Sequence, residues 1–512
     1  MRPLLSPEQM RRADQRCIAA GTPAVELMDR AGRAVARSAT ALSGRRYGAR
    51  IVVVCGKGNN GGDGFVAARA LAAEGAAVRC LLVCSEDEIA GPARSHLERA
   101  RSSGVPVAAF DEAVVASFEP HLAIDAIFGT GFSGRAEGAA ARAIETFRRI
   151  PLVVSVDIPS GVDGSTGACT GEATRADVTV AIAAEKWGTA HPPGSLHAGA
   201  VEVVDVGIAI DLRDVESWMV EAGDVARMLP RRAPDAHKRS AGSVAVIAGS
   251  DAMPGAATLT GMGAIRMGGG YVTLGTTPRA RAVATGVLPE MLCPEITDDP
   301  QLGAAALDDF KDVLARAGAI AVGPGVGRGA GPRAIMRRLL EEVPVPLVLD
   351  ADALNSLEGD LGPVERRDEP TILTPHPGEM ASLLGVSAGA VNSDRIGAAR
   401  AAASRAGSAV VLLKGYRTVI AAAGGKQTYV IQAGGPELAT AGSGDVLTGA
   451  IAALCAAGVD PLGAALAGAH VHGIAGALAG DRVGAAGVMA RDVADELGRA
   501  VDLITESYAV TP

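Results

Sequence analysis

Apolar residues in this chain gather into short continuous runs, separated by longer stretches with helical spacing. The runs at residues 51–55 (IVVVC), 78–83, 123–128, 178–183 and 201–206 have strand length and little polar interruption. Runs of that kind suit strands buried on both faces, as in a parallel sheet covered by helices. The intervening stretches supply the helices. Residues 6–42 open with Ser6 as a cap, Pro7 at the first helical position and an acid in the first turn. Apolar residues then recur through Val25, Leu27, Met28, Ala31 and Val35. Further helices are expected at about 63–74 and 90–103.

After residue 206 the pattern decays into DVGIAIDLRDVESWMVEAGD, and a domain boundary is expected between residues 211 and 224. A new series begins with SVAVIAGS, PGAATLTGMGAIRMGGG and YVTLGTT. Strands follow at 320–322, in LVLDADALN, in TILTPHPGEM and at 409–413, with a returning strand from Thr418 and helices near 446–457 and 462–479. Strand and helix alternate through both halves, which predicts an α/β fold class. No repeat of the first half is visible in the second.

A length of 512 residues exceeds one ordinary core and predicts two or three domains. With 66 glycines and only 3% aromatics, the interior is expected to be close-packed Ala, Val and Gly with many tight turns. The formal net charge of -9 carries no long block of one sign, so neither a nucleic-acid footprint nor a basic membrane face is expected. Cys17, Cys55, Cys80, Cys84, Cys169, Cys293 and Cys455 are odd in number and lack metal-ligand spacing, which reads as reduced cysteines of a cytoplasmic protein. The N-terminus lacks the apolar core of a signal peptide, and no uninterrupted apolar run reaches membrane-spanning length.

Candidate chemistry sits where strands end. GKGNNGGDG follows the 51–55 run and brings two side-chain amides, Asn59 and Asn60, to a glycine-rich turn. A plain turn built from residues that tolerate left-handed backbone is the alternative. Asp125 lies inside an apolar strand, Asp157 ends the next one, and Ser160 follows it. With Asn60 these side chains offer hard oxygens to a monovalent or weakly held divalent cation, at the carboxyl edge where parallel sheets bind ligands. Taken singly, each also suits a cap or a turn.

In the second half, ATAGSGDVLTG delivers Asp445 to a helix start behind small residues, where backbone N–H groups and the helix dipole favour a phosphate. Asp445 there could take a proton from a substrate hydroxyl; a capped helix behind a tight turn is the alternative. Gly323 and Gly325 permit close ligand approach, Asp350 and Asp352 end a strand, and His376 is fixed between two prolines before Glu379. Lys414 and the backbone to Thr418 either hold a nucleotide or form a hairpin with an exposed lysine. His470 and His472 are two apart, which is not one helix face, so they do not read as a metal pair.

These motifs, in this order, resemble a known family. GNNGGDG, IDAIFGTGFSGR and VDIPSGVDGSTG resemble the epimerase domain of NAD(P)H-hydrate repair enzymes. GSDAMPGAA, VGPGVG, LDADALN, LTPHPGEM, LKGYRTVI and ATAGSGDVLTG resemble the dehydratase domain, a member of the ribokinase-like group. Nearly the whole chain is covered. The resemblance implies two three-layer α/β/α domains, Rossmann-like over residues 1–215 and ribokinase-like over 224–512. It implies epimerisation of the R and S hydrates at carbon six of the nicotinamide ring in the first domain. In the second it implies dehydration of the S epimer at the expense of ADP, with Mg²⁺.

Site residues carry over by position. In the first domain Asn59, Asn60, Gly61, Gly62 and Asp63 would line the hydrate site together with Gly129, Thr130, Gly131, Phe132, Ser133, Gly134 and Arg135. Asp157 would face the nicotinamide as candidate acid/base, and Asn60, Asp125 and Ser160 would hold K⁺. In the second domain Ala256, Gly325 and His376 would contact the hydrate, with Asp445 as base. Lys414, Gly415, Tyr416, Arg417, Thr418 and Gly444 would contact the nucleotide. Two features depart from the family pattern: QAGGPEL replaces an Asn/Pro-rich segment, and Ser443 stands where relatives often carry Thr. NADH hydrate, NADPH hydrate and ADP are the implied small-molecule partners, and a homo-oligomer is expected. Two other readings remain open: a ribokinase-like kinase of a pyridine or pyrimidine alcohol, and a first domain that binds a nucleotide without turnover.

Overall fold

In the computed structural model, residues 1–232, 234–235, 237–238 and 241–508 are described. The chain divides into two compact units, one of Pro3–Ser217 and one of Trp218–Pro512 together with Met1–Arg2.

The sheet of the N-terminal unit runs Val107–Ala109, Ala77–Leu82, Arg50–Cys55, Leu122–Ala126, Leu152–Val156, Val178–Ile182, Ala200–Val204, all parallel. Alternate residues of one strand explain the layers. Ile51, Val53 and Cys55 join a core with helices Ala24–Ser43, Asn59–Ala73 and Gly91–Ser102, while Val52 and Val54 join a second core with Glu112–Phe118 and Gly138–Phe147. The result is the expected three-layer α/β/α arrangement. Successive strands move outward from Arg50–Cys55 on one side, and the chain then returns to Leu122–Ala126 on the other. The two turns that leave this switch point frame a crevice at the carboxyl edge of the sheet.

The first helix is Pro7–Ala19. Ser6 and Gln9 form a reciprocal capping box there. The helix after the first long strand is Asn59–Ala73, four residues earlier than the expected start near 63. Glycine and asparagine are poor helix formers, but close packing overrides that propensity. A Cβ at Gly61 would lie 1.9 Å from the Gly56 carbonyl oxygen, and one at Gly62 would lie 2.3 Å from the Met28 sulfur.

The core strands of the C-terminal unit run Tyr271–Gly275, Ser243–Ile247, Ala319–Val322, Leu347–Leu349, Thr371–Leu373, Val410–Leu413 in parallel. Val419–Ala421 and Thr428–Ile431 then continue antiparallel. Val244, Val246, Ala319, Ala321, Val348 and Ile372 pack into a large core with helices Pro254–Arg266, Ser443–Ala456, Pro461–Val483 and Ala490–Ser507. Residues of opposite parity, among them Ala245, Ile247, Ile320 and Leu349, are buried on the other face. Pro254–Arg266 and Ser443–Ala456 touch backbone to backbone. A Cβ at Gly449 would lie 1.9 Å from the Thr260 oxygen, and one at Gly263 would lie 2.1 Å from that of Val446.

Pro461–Val483, at 23 residues, is long and apolar enough by length and composition to cross a membrane, although His470, His472, Asp481 and Arg482 interrupt its apolar residues. Its most apolar window is 78% buried inside the protein, which is the behaviour of a core helix. All seven cysteines are free thiols, with Cys55, Cys80 and Cys455 buried.

Candidate active sites

The switch point of the N-terminal unit opens into a cavity of about 610 Å³. Asn59, Asn60, Asp63, Gly129, Thr130, Gly131, Phe132, Ser133 and Asp157 line it. Gly61, Gly62, Gly134 and Arg135 do not: the first two are packing glycines inside the helix, and Arg135 is exposed on the loop beyond. Phe132 stacks on Phe128 with ring centroids 4.5 Å apart, giving the wall an apolar face.

Asp157 follows directly on strand Leu152–Val156 with a left-handed φ of 66°, a conformation of the kind that gathers at functional sites. Its Oδ1 accepts from the Lys186 ammonium and from the Ile182 N–H at 3.1 Å. Lys186 is 0% exposed and also donates to the Ile182 oxygen at 2.7 Å. Asp14, on helix Pro7–Ala19, lines the same cavity. Burial first, and then the Asp157 charge, push the Asp14 carboxyl up to about 6, against the pull of Lys186. Asp63 is pushed well above the ordinary carboxylate range by burial and then by the Asp157 and Asp14 charges, against the pull of Lys186. Sequence reasoning missed Asp14 and Lys186. Asp14 lies on a helix that looked like simple packing, and the signal for Lys186 was a lone cation just after the apolar 178–183 run.

Beside the cavity, Asp125, Ser160 and Asn60 come together. Asp125 accepts from Ser160 Oγ at 2.6 Å, from Ser160 N at 2.8 Å and from Ser155 Oγ at 3.0 Å. Asn60 Nδ2 donates to the Phe128 and Val156 carbonyl oxygens at 2.7 and 2.9 Å, which ties the two strand ends together. Amide, hydroxyl, carbonyl and carboxylate oxygens with a single formal charge among them suit a monovalent cation.

In the C-terminal unit Asp445 stands in the first turn of Ser443–Ala456, whose N-cap Gly442 has a φ of 88° and offers no side-chain cap. The free N–H groups of that turn and the helix dipole favour an anion. Burial, and then the Asp350 carboxylate, push Asp445 up to about 7, with Lys414 pulling it down. Asp350 is 1% exposed and accepts from Lys414 Nζ at 2.5 Å and from Thr448 Oγ1 at 2.7 Å. A Cβ on Gly444 would meet Lys414 Nζ at 3.4 Å, so the glycine turn lies directly on this ion pair. The hairpin is present, with Val410–Leu413 antiparallel to Val419–Ala421, but Lys414 at its turn is largely buried and paired, not exposed.

Glu379 reaches Lys414 at 3.9 Å, and burial raises its carboxyl. It accepts from the His376 N–H at 2.8 Å, while His376 Nδ1 accepts from the N–H groups of Gly378 and Glu379 at 3.0 and 3.3 Å. This capping box leaves the His376 ring exposed at its strand end. Gly325, with φ of 65°, sits where a Cβ would be 2.8 Å from that of Ala256, which joins the VGPGVG turn to helix Pro254–Arg266. The Lys414–Thr418 loop carries a left-handed Arg417 at φ of 55°. Arg395 Nη2 holds the loop from below, at 3.1 Å from the oxygens of Leu413 and Lys414. Arg395 and Thr448 were not read from the sequence; neither belongs to a local motif. His472 packs beneath the glycine turn, its Nε2 2.9 Å from the Ser443 oxygen, and burial pushes its ring down to about 4. Among the described residues no group of three or more His, Cys, Asp or Glu is placed to hold a metal ion. A Mg²⁺ here would arrive on nucleotide phosphates, as this ion commonly does.

Two parallel-sheet units, each with ionisable groups gathered at its carboxyl edge, define a two-site α/β enzyme. Residues 24–188 match the family described as YjeF-related protein N-terminus, and residues 244–499 match NAD(P)H-hydrate dehydratase. The chain is 39% identical over 488 residues to the bifunctional NAD(P)H-hydrate repair enzyme Nnr of Moorella thermoacetica, covering 93% of this chain and 92% of that protein. It is 37% identical to the protein of the same name from Thermofilum pendens, covering 94% and 93%. Among solved structures, the ADP/ATP-dependent NAD(P)H-hydrate dehydratase of Bacillus subtilis, co-crystallised with ATP/Mg²⁺, is 30% identical, with a TM-score of 0.48 over 56% of this chain and 98% of that one. The chain belongs to the family of bifunctional NAD(P)H-hydrate repair enzymes, as the motifs led us to expect.

Proposed function

We propose that residues 224–512 dehydrate the S epimer of NADH or NADPH hydrate at the expense of ADP, and that residues 1–215 interconvert the R and S epimers. One observation carries the dehydratase reading. Asp445, titrating at about 7, stands in an uncapped helix turn beside the buried Lys414–Asp350 pair. A base with that value is half ionised near neutral pH, which suits removal of a hydroxyl proton.

Asp445 takes the proton of the carbon-six hydroxyl as that oxygen attacks the terminal phosphoryl group of ADP, whose bond to the bridging oxygen breaks and releases AMP. The phosphorylated oxygen then leaves as phosphate, the ring loses a proton, and the double bond of the reduced nicotinamide forms. Ala256, Gly325 and His376 would position the hydrate; Lys414, Gly415, Tyr416, Arg417, Thr418 and Gly444 would hold the nucleotide. Mg²⁺ bound with the phosphates would neutralise charge on the transferred group. In the N-terminal unit Asp157 would act as an acid/base group, with Lys186 holding it in place, and Asn60, Asp125 and Ser160 would hold K⁺. The family membership supports this division of labour. We further propose that the chain acts in the cytoplasm as a homo-oligomer.

The test is dehydration of the separated S epimer of NADH hydrate with ADP and Mg²⁺. Recovery of reduced-nicotinamide absorbance, with one phosphate released per turnover, is expected. A stable phosphorylated product without recovery would identify a kinase instead.

A further inference from the structure

The cavity of the N-terminal unit holds more proton-handling groups than epimerisation through Asp157 alone uses. Carbon six of the hydrate carries both the hydroxyl and the ring nitrogen. Protonating the hydroxyl lets it leave as water, while the N1 lone pair forms a C6=N1 bond and the ring flattens at that carbon. To invert the centre, a water must add to the opposite face and lose a proton there. Leaving and arriving on opposite faces requires two groups, one to give a proton and one to take it.

Asp157 is one such group. Its Oδ1 is filled by Lys186 and by the Ile182 N–H, and no described residue donates to its Oδ2. Asp14 is half-buried and lines the same cavity, and no described residue donates a hydrogen bond to its carboxyl. A carboxyl held half out of water without any partner has no structural task on helix Pro7–Ala19. Asp63 lies deeper, inside the first turns of helix Asn59–Ala73.

We propose that Asp14 is the second acid–base residue of this cavity, acting on the ring face opposite Asp157. The inference rests on the epimerase reading of the N-terminal unit. Asp14 gives its proton to the hydroxyl as the C6–O bond breaks, and the N1 pair becomes the new C=N bond. Water then adds from the other face, the C=N pair returns to N1, and the water's proton goes to the Asp157 carboxylate. In the reverse direction the two exchange roles. Solvent in the open cavity resets the protons, and no electrons are gained or lost overall. Asp63, Asp157, Lys186 and Lys57 are the charged groups facing the same space. The Asp14 carboxyl, lifted to about 6, keeps a usable protonated fraction near neutral pH, and the Lys186 ammonium donates to Asp157 Oδ1 in the same cavity.

The full chain is assayed for interconversion of the separated R and S epimers of NADPH hydrate, with dehydration of the S epimer followed in parallel. Asp14→Asn should lower the kcat of epimerisation about 100-fold or more, leave its KM within about twofold and leave dehydration unchanged. Asp14→Glu should restore part of the rate. The wild-type rate should show a limb near pH 6 that is missing from the residual rate of Asp14→Asn. Wild-type epimerisation by Asp14→Asn, or its loss in Asp63→Asn with none in Asp14→Asn, overturns the assignment. Should Asp14→Asn not fold, the wild-type profile decides, and a flat profile between pH 5 and 8 overturns it. A wild-type chain that does not epimerise at all contradicts the epimerase reading itself, which is a separate outcome.

Discussion

Replacing Asp445 by asparagine should abolish dehydration and make the C-terminal unit more stable, by an amount that depends on pH. The carboxyl titrates at about 7 in the folded chain against an ordinary 3.8, because burial and Asp350 disfavour its charge more than Lys414 favours it. The folded chain therefore binds this proton more tightly than the unfolded chain does. Stability from this group is highest below about pH 4 and falls as pH climbs to about 7. A rise of about three units, at about 1.4 kcal/mol per unit, sets a ceiling of about 4 kcal/mol above pH 7. Asp445 is only partly buried, and the helix N-terminus stabilises its charge by a few tenths of a kcal/mol, so about 1–3 kcal/mol is expected. Asparagine keeps the shape and has no charge to desolvate. In calorimetry of the full chain, with the two units' transitions fitted separately, the C-terminal transition should rise by about 2–6 °C at pH 8. About a third of the gain should remain at pH 5. No gain at pH 8, or equal gains at both pH values, would refute the reasoning.

Three further outcomes follow from the packing. Lys186→Met leaves Asp157 without its cation and should cost the N-terminal unit about 3–5 kcal/mol, seen as a lower first transition, with epimerisation slowed and dehydration kept. Gly325→Ala places a Cβ 2.8 Å from that of Ala256 in a left-handed backbone, so a loss of about 1–3 kcal/mol and a KM for the S hydrate raised severalfold are expected in steady-state assays. Ser6→Ala removes the cap bond to Gln9 N at 3.2 Å and should cost about 1 kcal/mol by denaturant titration. Because that helix carries Asp14, epimerisation should fall with it while dehydration does not.

The strands were legible because both faces of each sheet are buried, so apolar runs mark them without alternation. Asp445 and Asp157 were legible because a carboxylate at the end of an apolar run or beside a glycine turn stands out. Helix starts were less so. Asn59–Ala73 begins inside GNNGGDG because Gly56 and Met28 leave room there only for hydrogen, a constraint that lives in three dimensions. Asp14, Lys186, Thr448 and Arg395 escaped notice for a related reason. Lys186, Thr448 and Arg395 act through partners far away in the chain, as Thr448 does on Asp350 across 98 positions, and Asp14 meets the rest of its cavity only in the fold, so no local pattern encodes either. Lys414 was seen, but its burial was not, because its partner Asp350 ends a different strand.

Two independent sites in one chain, acting on the same hydrate in succession, can be separated in a single experiment. The Asp445→Asn chain is given a mixture of R and S NADH hydrate with ADP and Mg²⁺, and the epimers are resolved by chromatography over time. R and S should continue to interconvert to equilibrium while no NADH forms, whereas the wild-type chain should consume both epimers completely. Loss of interconversion together with dehydration, in a variant that still melts as two intact units, would contradict the independence of the two sites.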